Sequence, residues 1–465
     1  MIFSSIPFLY YFLPIVLIAY FIVPQKLKNF VLLVSSLFFY AWGEPRYVFL
    51  MAFTILLGYI FGLLIEKNRG RKIAKVYCAV STIISLSFLA YFKYADFFIS
   101  NFNAVTGMDI KLLRIALPIG ISFYTFQIIS YTIDVYRGTE AQRNLISLGA
   151  YISMFPQLIA GPIIRYEDIN KQLNERTHSA EMAAEGVRRF IIGLCKKIFI
   201  ANQFGELIVV FRASKDLSVL YFWMYLVSVA LQLYFDFSGY SDMAIGLGKI
   251  FGFKFMENFN YPYIAKSITD FWRRWHISLG TWFKDYVYIP LGGNRVGNGR
   301  QIFNIFVVWF LTGFWHGAAW NFILWGLYFA VLLIIEKVWL LKYLKKNAFL
   351  SHIYVLVFAL LSFVIFNAES VHAIATDFGG LFGAGGIPLV SAEAVYYLRN
   401  YAVLFIMGII GATPLVKNVV LKISANEGGQ KIVNVLEPIV LFVFLIVMTA
   451  YLVDGSFNPF LYFRF

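Results

Sequence analysis

Charged residues are scarce in this chain of 465 residues: Asp, Glu, Lys and Arg make up only 14% of it, whereas 60% of the residues are hydrophobic. Such a composition excludes an ordinary water-soluble globular domain, in which about a quarter of the residues are charged. Cysteine is scarcer still. Only Cys78 and Cys195 are present, each in or beside an apolar run, which excludes a disulfide framework and a cysteine-based metal site. We interpret both as packing residues and predict no metal site.

Long apolar runs fill most of the chain. A helix needs roughly 20 mostly apolar residues to cross a bilayer, and the pattern predicts about 11–12 such helices. They lie near residues 7–23, 29–43, 47–65, 76–98, 114–133, 190–212, 218–236, 302–317, 319–341, 351–368, 397–414 and 433–453. We therefore predict an all-α polytopic membrane protein, with one membrane domain over residues 1–465. The first run lacks a preceding basic region and a cleavage site, so we interpret it as a retained helix.

The basic residues indicate the orientation of the chain. The net charge is +14, but Lys and Arg lie in short clusters between apolar runs, as is typical of cytoplasmic loops. We interpret this charge as a topology signal and expect no nucleic-acid partner. Lys26, Lys28 and the clusters at 67–75 and 342–346 should face the cytoplasm, and both termini should lie outside. The expected location is the inner (cytoplasmic) cell membrane, with lipid around the helices.

Two segments depart from the pattern of spanning helices. Residues 145–164 are interrupted at Pro156, Gly161 and Pro162, which predicts a re-entrant element with 155–162 as a candidate cavity wall; a simple kinked helix is the alternative. Residues 237–301 contain no run long enough to span but many Trp, Tyr, Arg, Lys and Gly residues. We predict that they form a cytoplasmic interfacial segment. Asp236 and Asp242, at the predicted end of a helix, should cap it or pair it with another helix.

Two of the five histidines, His276 and His316, lie in the aromatic and glycine-rich part of the chain. His316 should lie either near the far end of a predicted helical hairpin over 302–341 or inside a cavity that cuts into the membrane, and an ionisable residue at such a depth indicates a functional site. Burial should keep its ring neutral, as a base requires, and Gly313 and Gly317 would let a backbone or a substrate come close. A structural histidine bonded to a carbonyl is the alternative. For His276 the local sequence favours an interfacial, structural role.

These same residues carry a resemblance to a known family. The sequence WRRWHISLGTWFKDYVYIPLGGNR, followed by TGFWHGAAWNFILWG, resembles the membrane-bound O-acyltransferase (MBOAT) family. Four further segments resemble its bacterial alginate O-acetyltransferase branch: SFYTFQIISYTIDVY (122–136), FPQLIAGPI (155–163), FDFSGYSDMAIG (235–246) and NPFLYFRF (458–465). Several motifs in the same order make a chance similarity improbable. The resemblance implies an MBOAT-type helical bundle with re-entrant and cytoplasmic interfacial helices.

The resemblance also implies roles for individual residues. His316 matches the family's histidine and is expected to act as general base on the accepting hydroxyl or on the hydroxyl of an intermediate carrier. His276 matches a second polar position, which either takes part in proton transfer or orients the acyl donor. Arg273, Arg274 and Lys284 are expected to contact the phosphates of coenzyme A, since guanidinium groups suit phosphate oxygens. The alternative for these cations is contact with anionic lipid headgroups. No bound cofactor is expected.

The activity implied is the transfer of acetyl groups from a cytoplasmic thioester, acetyl-CoA, for O-acetylation of an exported polysaccharide such as alginate. An extracytoplasmic acetyltransferase of the serine-hydrolase-like kind is the implied partner. Peptidoglycan O-acetylation and D-alanylation of teichoic acid remain alternatives within the family. Outside it, a transporter or flippase is the rival interpretation, although the sequence shows no inverted pair of short broken segments.

Overall fold

The computed structural model describes residues 2–159 and 161–455. Every regular element in those ranges is a helix, and the described residues contain no β-strand. The prediction of an all-α polytopic membrane protein is therefore confirmed. The motif NPFLYFRF (458–465) lies outside the described residues, as does Ala160 of the FPQLIAGPI motif.

The chain divides into two compact units. The first comprises Met1–Phe190 and Met243–Met256, and the second comprises Ile191–Asp242 and Glu257–Phe465. The single domain over residues 1–465 stays a prediction. The α-helices are Leu13–Ile22, Lys28–Gly43, Val48–Lys67, Lys72–Leu89, Ala95–Thr106, Ile121–Arg137, Leu145–Ser153, Phe155–Leu158, Tyr166–Asn174, Ala180–Cys195, Gln203–Ala213, Val219–Ile250, Ile268–Trp272, Ile277–Phe283, Asn298–His316, Trp320–Ile335, Leu341–Leu344, Ala348–Asn367, Val371–Leu381, Ala392–Asn400, Ala402–Gly411, Leu415–Ile423 and Glu427–Val453.

Six helical stretches of the described residues are long and apolar enough to cross a membrane: Val48–Lys67, Lys72–Thr106, Val219–Ile250, Trp320–Leu344, Ala348–Asn367 and Glu427–Val453. A seventh span results if Ala392–Asn400 and Ala402–Gly411, which meet at a bend of 60°, cross together. Other apolar helices, such as Pro7–Ile22, are shorter. The count of about 11–12 spans stays a prediction, since short helices cross a bilayer only where it thins or neighbouring residues compensate.

The helix Val219–Ile250 is longer than predicted. We expected its end at 236 and an interfacial segment from 237 onward, but the helix continues through the polar FDFSGYSDMAIG sequence to Ile250. The capping role suggested for Asp236 and Asp242 is therefore wrong, and the pairing role is confirmed. Asp236 forms an ion pair of 2.7 Å with Lys197, and Asp242 forms one of 2.7 Å with Lys196. Polar residues continue this helix because their charges are neutralised by a neighbouring helix.

Segment 145–164 is broken, as predicted. Its two helices, Leu145–Ser153 and Phe155–Leu158, are both too short to span. Phe155 is fully buried among phenylalanine rings of the first unit, and its backbone N–H donates to the hydroxyl of Ser36 (3.0 Å). The protein thus satisfies a backbone group that the break leaves open, which is the condition for broken backbone at membrane depth.

The hairpin predicted over 302–341 is present. Its first helix is Asn298–His316 and its second is Trp320–Ile335, which continues as wider π-helical turns over Glu336–Leu340. The two helices are in close contact at Gly313 and Gly326, where a Cβ atom on either glycine would meet the backbone of the opposite helix. Gly313 therefore admits a backbone, which is one of the two roles predicted for it. Close contact through small residues is typical of helix packing in membranes.

Gly313→Ala should destabilise the protein. The added methyl group has no space between the hairpin helices, and overpacking of this kind costs about 1–3 kcal/mol. Gly299→Ala is the matched control, because it lies on the same helix with nothing near its Cβ position. Thermal unfolding of the detergent-solubilised variants measures the difference, and equal midpoints would contradict the close contact.

Candidate active site

The fold brings His276 and His316 together, although they are 40 residues apart in the sequence (316 − 276). Their ring centroids are 6.4 Å apart, and the ring planes meet at 51°. Both side chains are buried, with 2% of His276 and 7% of His316 exposed. Two imidazoles this close can act on the same substrate, one as a base and the other as a hydrogen-bonding group.

Aromatic rings enclose His316. It is the last residue of the first hairpin helix, and the rings of Trp325 and Phe366 stand edge-on to it at 5.0 and 5.4 Å. The neighbouring ring of Trp315 lies at 5.1 Å. Rings packed on several sides limit both the rotation of the imidazole and the access of water, so that the orientation of His316 is largely set before any substrate binds.

His276 has an unusual backbone conformation. Its φ and ψ are 47° and 51°, in the left-handed region that few residues other than glycine adopt, and it directly precedes the helix Ile277–Phe283. Such conformations cluster at functional sites. Its ring contacts that of Phe237 at 4.7 Å, and its Nε2 atom is buried without a hydrogen-bond partner among the described residues. The local sequence had favoured an interfacial, structural histidine; the burial of this ring beside His316 favours a functional role instead.

The electrostatics of His276 favour the neutral form. Burial, and secondarily the proximity of His316, lowers the pKa of His276 well below its usual value. Desolvation penalises the imidazolium because a buried charge loses its hydration. The ring therefore stays uncharged at physiological pH, with one nitrogen able to donate and the other able to accept a hydrogen bond.

Asn258 holds the turn that carries His276. It is fully buried, and its backbone carbonyl accepts the N–H of Ile277 at 3.0 Å. Its side-chain oxygen accepts from the N–H and the hydroxyl of Ser278 at 3.2 and 2.9 Å, and its amide donates to Ser241 at 3.0 Å. These bonds fix the start of the helix directly after His276. Sequence reasoning missed Asn258, because one asparagine in an aromatic stretch carries no distinctive signal.

Glu336 is a second residue that sequence reasoning missed. Only 1% of it is exposed, and its carboxylate accepts hydrogen bonds from the N–H groups of Ile268 and Thr269 and from the Thr269 hydroxyl (2.6 Å). A carboxylate is favourable at the N-terminus of a helix, and this one ties Ile268–Trp272 to the second hairpin helix. A lone acidic residue at the end of an apolar run was the available signal.

A cavity of about 450 Å³ opens beside His276. His316 is not among its lining residues and lies next to His276. The lining is mainly apolar and aromatic, with Arg273 and Lys284 as its cations: Thr269, Trp272, Arg273, His276, Ile277, Leu279, Gly280, Thr281, Phe283, Lys284, Tyr288, Val308, Trp309, Thr312 and Leu333. An apolar chamber with a few polar groups suits a small substrate that must be oriented.

The three cations predicted to bind phosphate have different surroundings. Arg273 is exposed and has no ion pair among the described residues, and Lys284 is exposed with its amine 3.7 Å from Asp285. Arg274 does not line the cavity; it forms an ion pair with Asp270 at 3.1 Å. Its role in phosphate binding stays a prediction, as do those of Arg273 and Lys284.

A second cavity, of about 470 Å³, shares Thr269 and Arg273 with the first. It is more polar and adds two lysines: its lining is Lys266, Ser267, Thr269, Asp270, Arg273, Leu341, Leu344, Lys345 and Ala348. The sequence had indicated only a topology role for Lys345. Three cations against one carboxylate make this cavity suitable for a multiply charged anion.

Comparison with known proteins gives three kinds of relative. A sequence model of the membrane-bound O-acyltransferase family matches residues 141–374. The chain is 39% identical to a probable alginate O-acetylase of Pseudomonas putida, over 100% of both proteins. It is 34% identical to a peptidoglycan O-acetyltransferase of Helicobacter pylori, over 91% of this chain and 88% of that one. It is 32% identical to a teichoic acid D-alanyltransferase of Bacillus subtilis, over 55% of this chain and 69% of that one.

Asn258→Ala should lower the rate of acyl transfer while the protein still folds. Without the side-chain bonds to Ser278 and Ser241, the turn at His276 is free to shift, and a displacement of about 1 Å in a reacting group can cost on the order of 10²-fold. Asn260→Ala is the control, because the hydrogen bonds of Asn260 are made by its backbone and its side chain is exposed. Equal rates for the two variants at equal abundance in membranes would exclude this positioning role.

Proposed function

The chain belongs to the membrane-bound O-acyltransferase family, and we propose that it transfers acetyl groups from acetyl-CoA, on the cytoplasmic side of the inner membrane, for O-acetylation of an exported polysaccharide. It is a multi-pass membrane acyltransferase, as the sequence predicted. The observation that carries the proposal is the buried pair of His276 and His316 beside a cavity with cationic residues.

The reaction proposed is the attack of a hydroxyl group, on the acceptor or on an intermediate carrier, on the thioester of acetyl-CoA. His316 accepts the hydroxyl proton while the oxygen attacks the acetyl carbonyl. A C–O bond forms, the C–S bond breaks, and the proton passes from His316 to the departing thiolate of coenzyme A. His276, in the tautomer that carries its proton on Nε2, hydrogen-bonds to the carbonyl oxygen and so orients the donor. The enclosing aromatic rings support this assignment, because they exclude water that would hydrolyse the thioester.

We assign the nucleotide end of acetyl-CoA to the second cavity. Lys266, Arg273 and Lys345 supply positive charge for its phosphates, and Arg273, which also lines the first cavity, lies where the pantetheine arm would pass toward His276. The volume of about 470 Å³ lies in the range of small-molecule sites.

The acceptor proposed is an alginate-like polysaccharide, and the greater identity to the alginate O-acetylase than to the peptidoglycan and teichoic acid enzymes supports it. We propose that an extracytoplasmic acetyltransferase of the serine-hydrolase-like kind completes the transfer to the polymer. Peptidoglycan O-acetylation and D-alanylation of teichoic acid are the competing outcomes of an acceptor assay. Membership of an acyltransferase family favours this function over the transporter or flippase alternative.

His316→Ala should abolish acetylation without preventing insertion into the membrane. General acid–base catalysis typically contributes about 10²–10⁴-fold, so the product should fall below detection in a cellular assay. His276→Asn should reduce activity less completely, and it is a better variant than alanine because asparagine tolerates the left-handed backbone. O-acetyl groups released from the exported polymer are measured against the amount of each variant in membranes.

His372→Ala is the matched control, because His372 is exposed. His178 and His352 are poorer controls, since their rings hydrogen-bond to Tyr20 and to the carbonyl of Ala265. Full acetylation by His316→Ala at normal abundance would refute the mechanism.

Arg273→Ala should raise the KM for acetyl-CoA, with a smaller effect on kcat. A charge-assisted hydrogen bond contributes about 1.5–3 kcal/mol, which corresponds to roughly a 10- to 150-fold change in affinity. Arg274→Ala is the comparison, because its guanidinium is already paired with Asp270. Donor titrations with purified protein measure both, and an equal KM for wild type and Arg273→Ala would remove this residue from the donor site.

A further inference from the structure

The first unit contains a cluster of cationic side chains around one tyrosine. The hydroxyl of Tyr20 accepts a hydrogen bond from Arg176 Nε (2.8 Å) and donates to the backbone carbonyl of Phe251 (2.7 Å). A ring nitrogen of His178 lies 2.9 Å from the same hydroxyl. The ammonium of Lys28 lies 4.8 Å from the centre of the Tyr20 ring. Three basic residues thus meet at a single phenol.

This cluster has no carboxylate. Among the described residues, neither Arg176 nor Lys28 forms an ion pair, although only 7% of Arg176 and 9% of Lys28 is exposed. Arg176 Nη1 donates to Asn29 (2.7 Å), but its Nη2 is buried and has no hydrogen-bond partner in the described part of the chain. The side chain of Lys28 forms no hydrogen bond with the residues that the structure describes. Buried cations that lack an anion are costly, which indicates that a negative charge comes from outside the chain.

The electrostatics of His178 show that the two cations act at one place. Burial lowers the pKa of His178, and Lys28 and Arg176 lower it further, in that order. The ring is therefore uncharged at neutral pH. Because the Tyr20 hydroxyl donates its one proton to Phe251, the single N–H of the neutral His178 ring donates to Tyr20. An anion bound here would meet the positive charges of Lys28 and Arg176, a combination that suits a phosphate group.

The surroundings favour an amphiphilic anion. Lys28 begins a helix directly after the turn Gln25–Leu27, at the end of the protein that the basic clusters predict to face the cytoplasm. Exposed apolar side chains flank it, with Phe21, Ile22 and Leu27 at 48, 78 and 48% exposure. Basic pockets at the cytoplasmic ends of membrane helices suit the headgroups of anionic lipids, whose chains can lie along apolar side chains.

We propose that Lys28 and Arg176 bind the phosphate of an anionic phospholipid of the cytoplasmic leaflet, beside the Tyr20 hydroxyl to which Arg176 and His178 are bonded. Lys28 contacts the phosphate from the surface, and Arg176 supports it from the interior through Nη2. The site belongs to the first unit and shares no residue with the histidine pair, so its occupancy is tested without the acyltransferase reaction.

The test measures lipid binding to the purified full-length protein. Wild type and variants are placed in vesicles of phosphatidylcholine with or without phosphatidylglycerol, and retained lipid is identified by native mass spectrometry alongside the unfolding midpoint. Wild type should retain phosphatidylglycerol and unfold at a higher temperature in its presence. Lys28→Gln should weaken this binding roughly tenfold or more, the loss of one charge-assisted hydrogen bond. Lys28→Arg, which keeps the charge, should retain most of it.

Lys26→Gln is the matched control, because Lys26 lies in the turn directly before Lys28 but is exposed and outside the cluster. Equal loss of lipid binding in Lys26→Gln and Lys28→Gln would mean that the lipid is attracted by the general surface charge, and would overturn the proposal. Unchanged binding in Lys28→Gln would also overturn it. If millimolar inorganic phosphate in phosphatidylcholine vesicles gives the same Lys28-dependent stabilisation, the ligand is a soluble phosphate and the lipid assignment is wrong.

Discussion

The hydrogen bonds from the start of the helix Ile268–Trp272 to the buried carboxylate of Glu336 are the interaction on which the site depends. Glu336 belongs to the extension of the second hairpin helix, and His316 ends the first. The bonds to Glu336 therefore attach the segment that leads into His276 to the same hairpin that carries His316. Together with the contacts of the Trp272 ring with Trp309, Trp325 and Phe329, this attachment holds the two imidazoles 6.4 Å apart. The close contact of Gly313 and Gly326 limits the sliding of one hairpin helix along the other, and so limits changes in the position of His316 relative to Glu336.

A membrane environment explains why several buried hydrogen bonds surround the two histidines. Lipid offers no hydrogen bonds, so every buried polar group needs a partner within the protein. Asn258 and Glu336 meet this requirement at the starts of the two short helices on either side of His276. Aromatic rings then fill the remaining space around His316. The result is an aromatic surrounding in which the His316 ring has little room to turn.

Two treatments of buried charge coexist in the chain. Within the second unit, Lys196 and Lys197 are neutralised by Asp242 and Asp236, so those charges serve the pairing of helices. Within the first unit, Lys28 and Arg176 have no such acid among the described residues. In a buried ion pair each charge is compensated by its partner. A buried cation without a carboxylate is energetically costly unless an external anion binds to it. This contrast separates the structural basic residues from those proposed to bind lipid phosphate.

Much of the fold and part of the candidate site could be predicted from local features of the sequence. Apolar length and scarce charge predicted an all-α membrane protein, because lipid solvation acts on each helix separately. The motifs around His276 and His316 predicted the family, and the matches to its relatives confirm it. The hairpin was predicted because both of its helices are continuous in the sequence. Other features depended on partners distant in the chain: the extension of Val219–Ile250 through two aspartates, and the roles of Asn258 and Glu336. A side chain's hydrogen bonds are set by what packing brings beside it, and no local pattern records a contact between residues 68 positions apart, as Ile268 and Glu336 are.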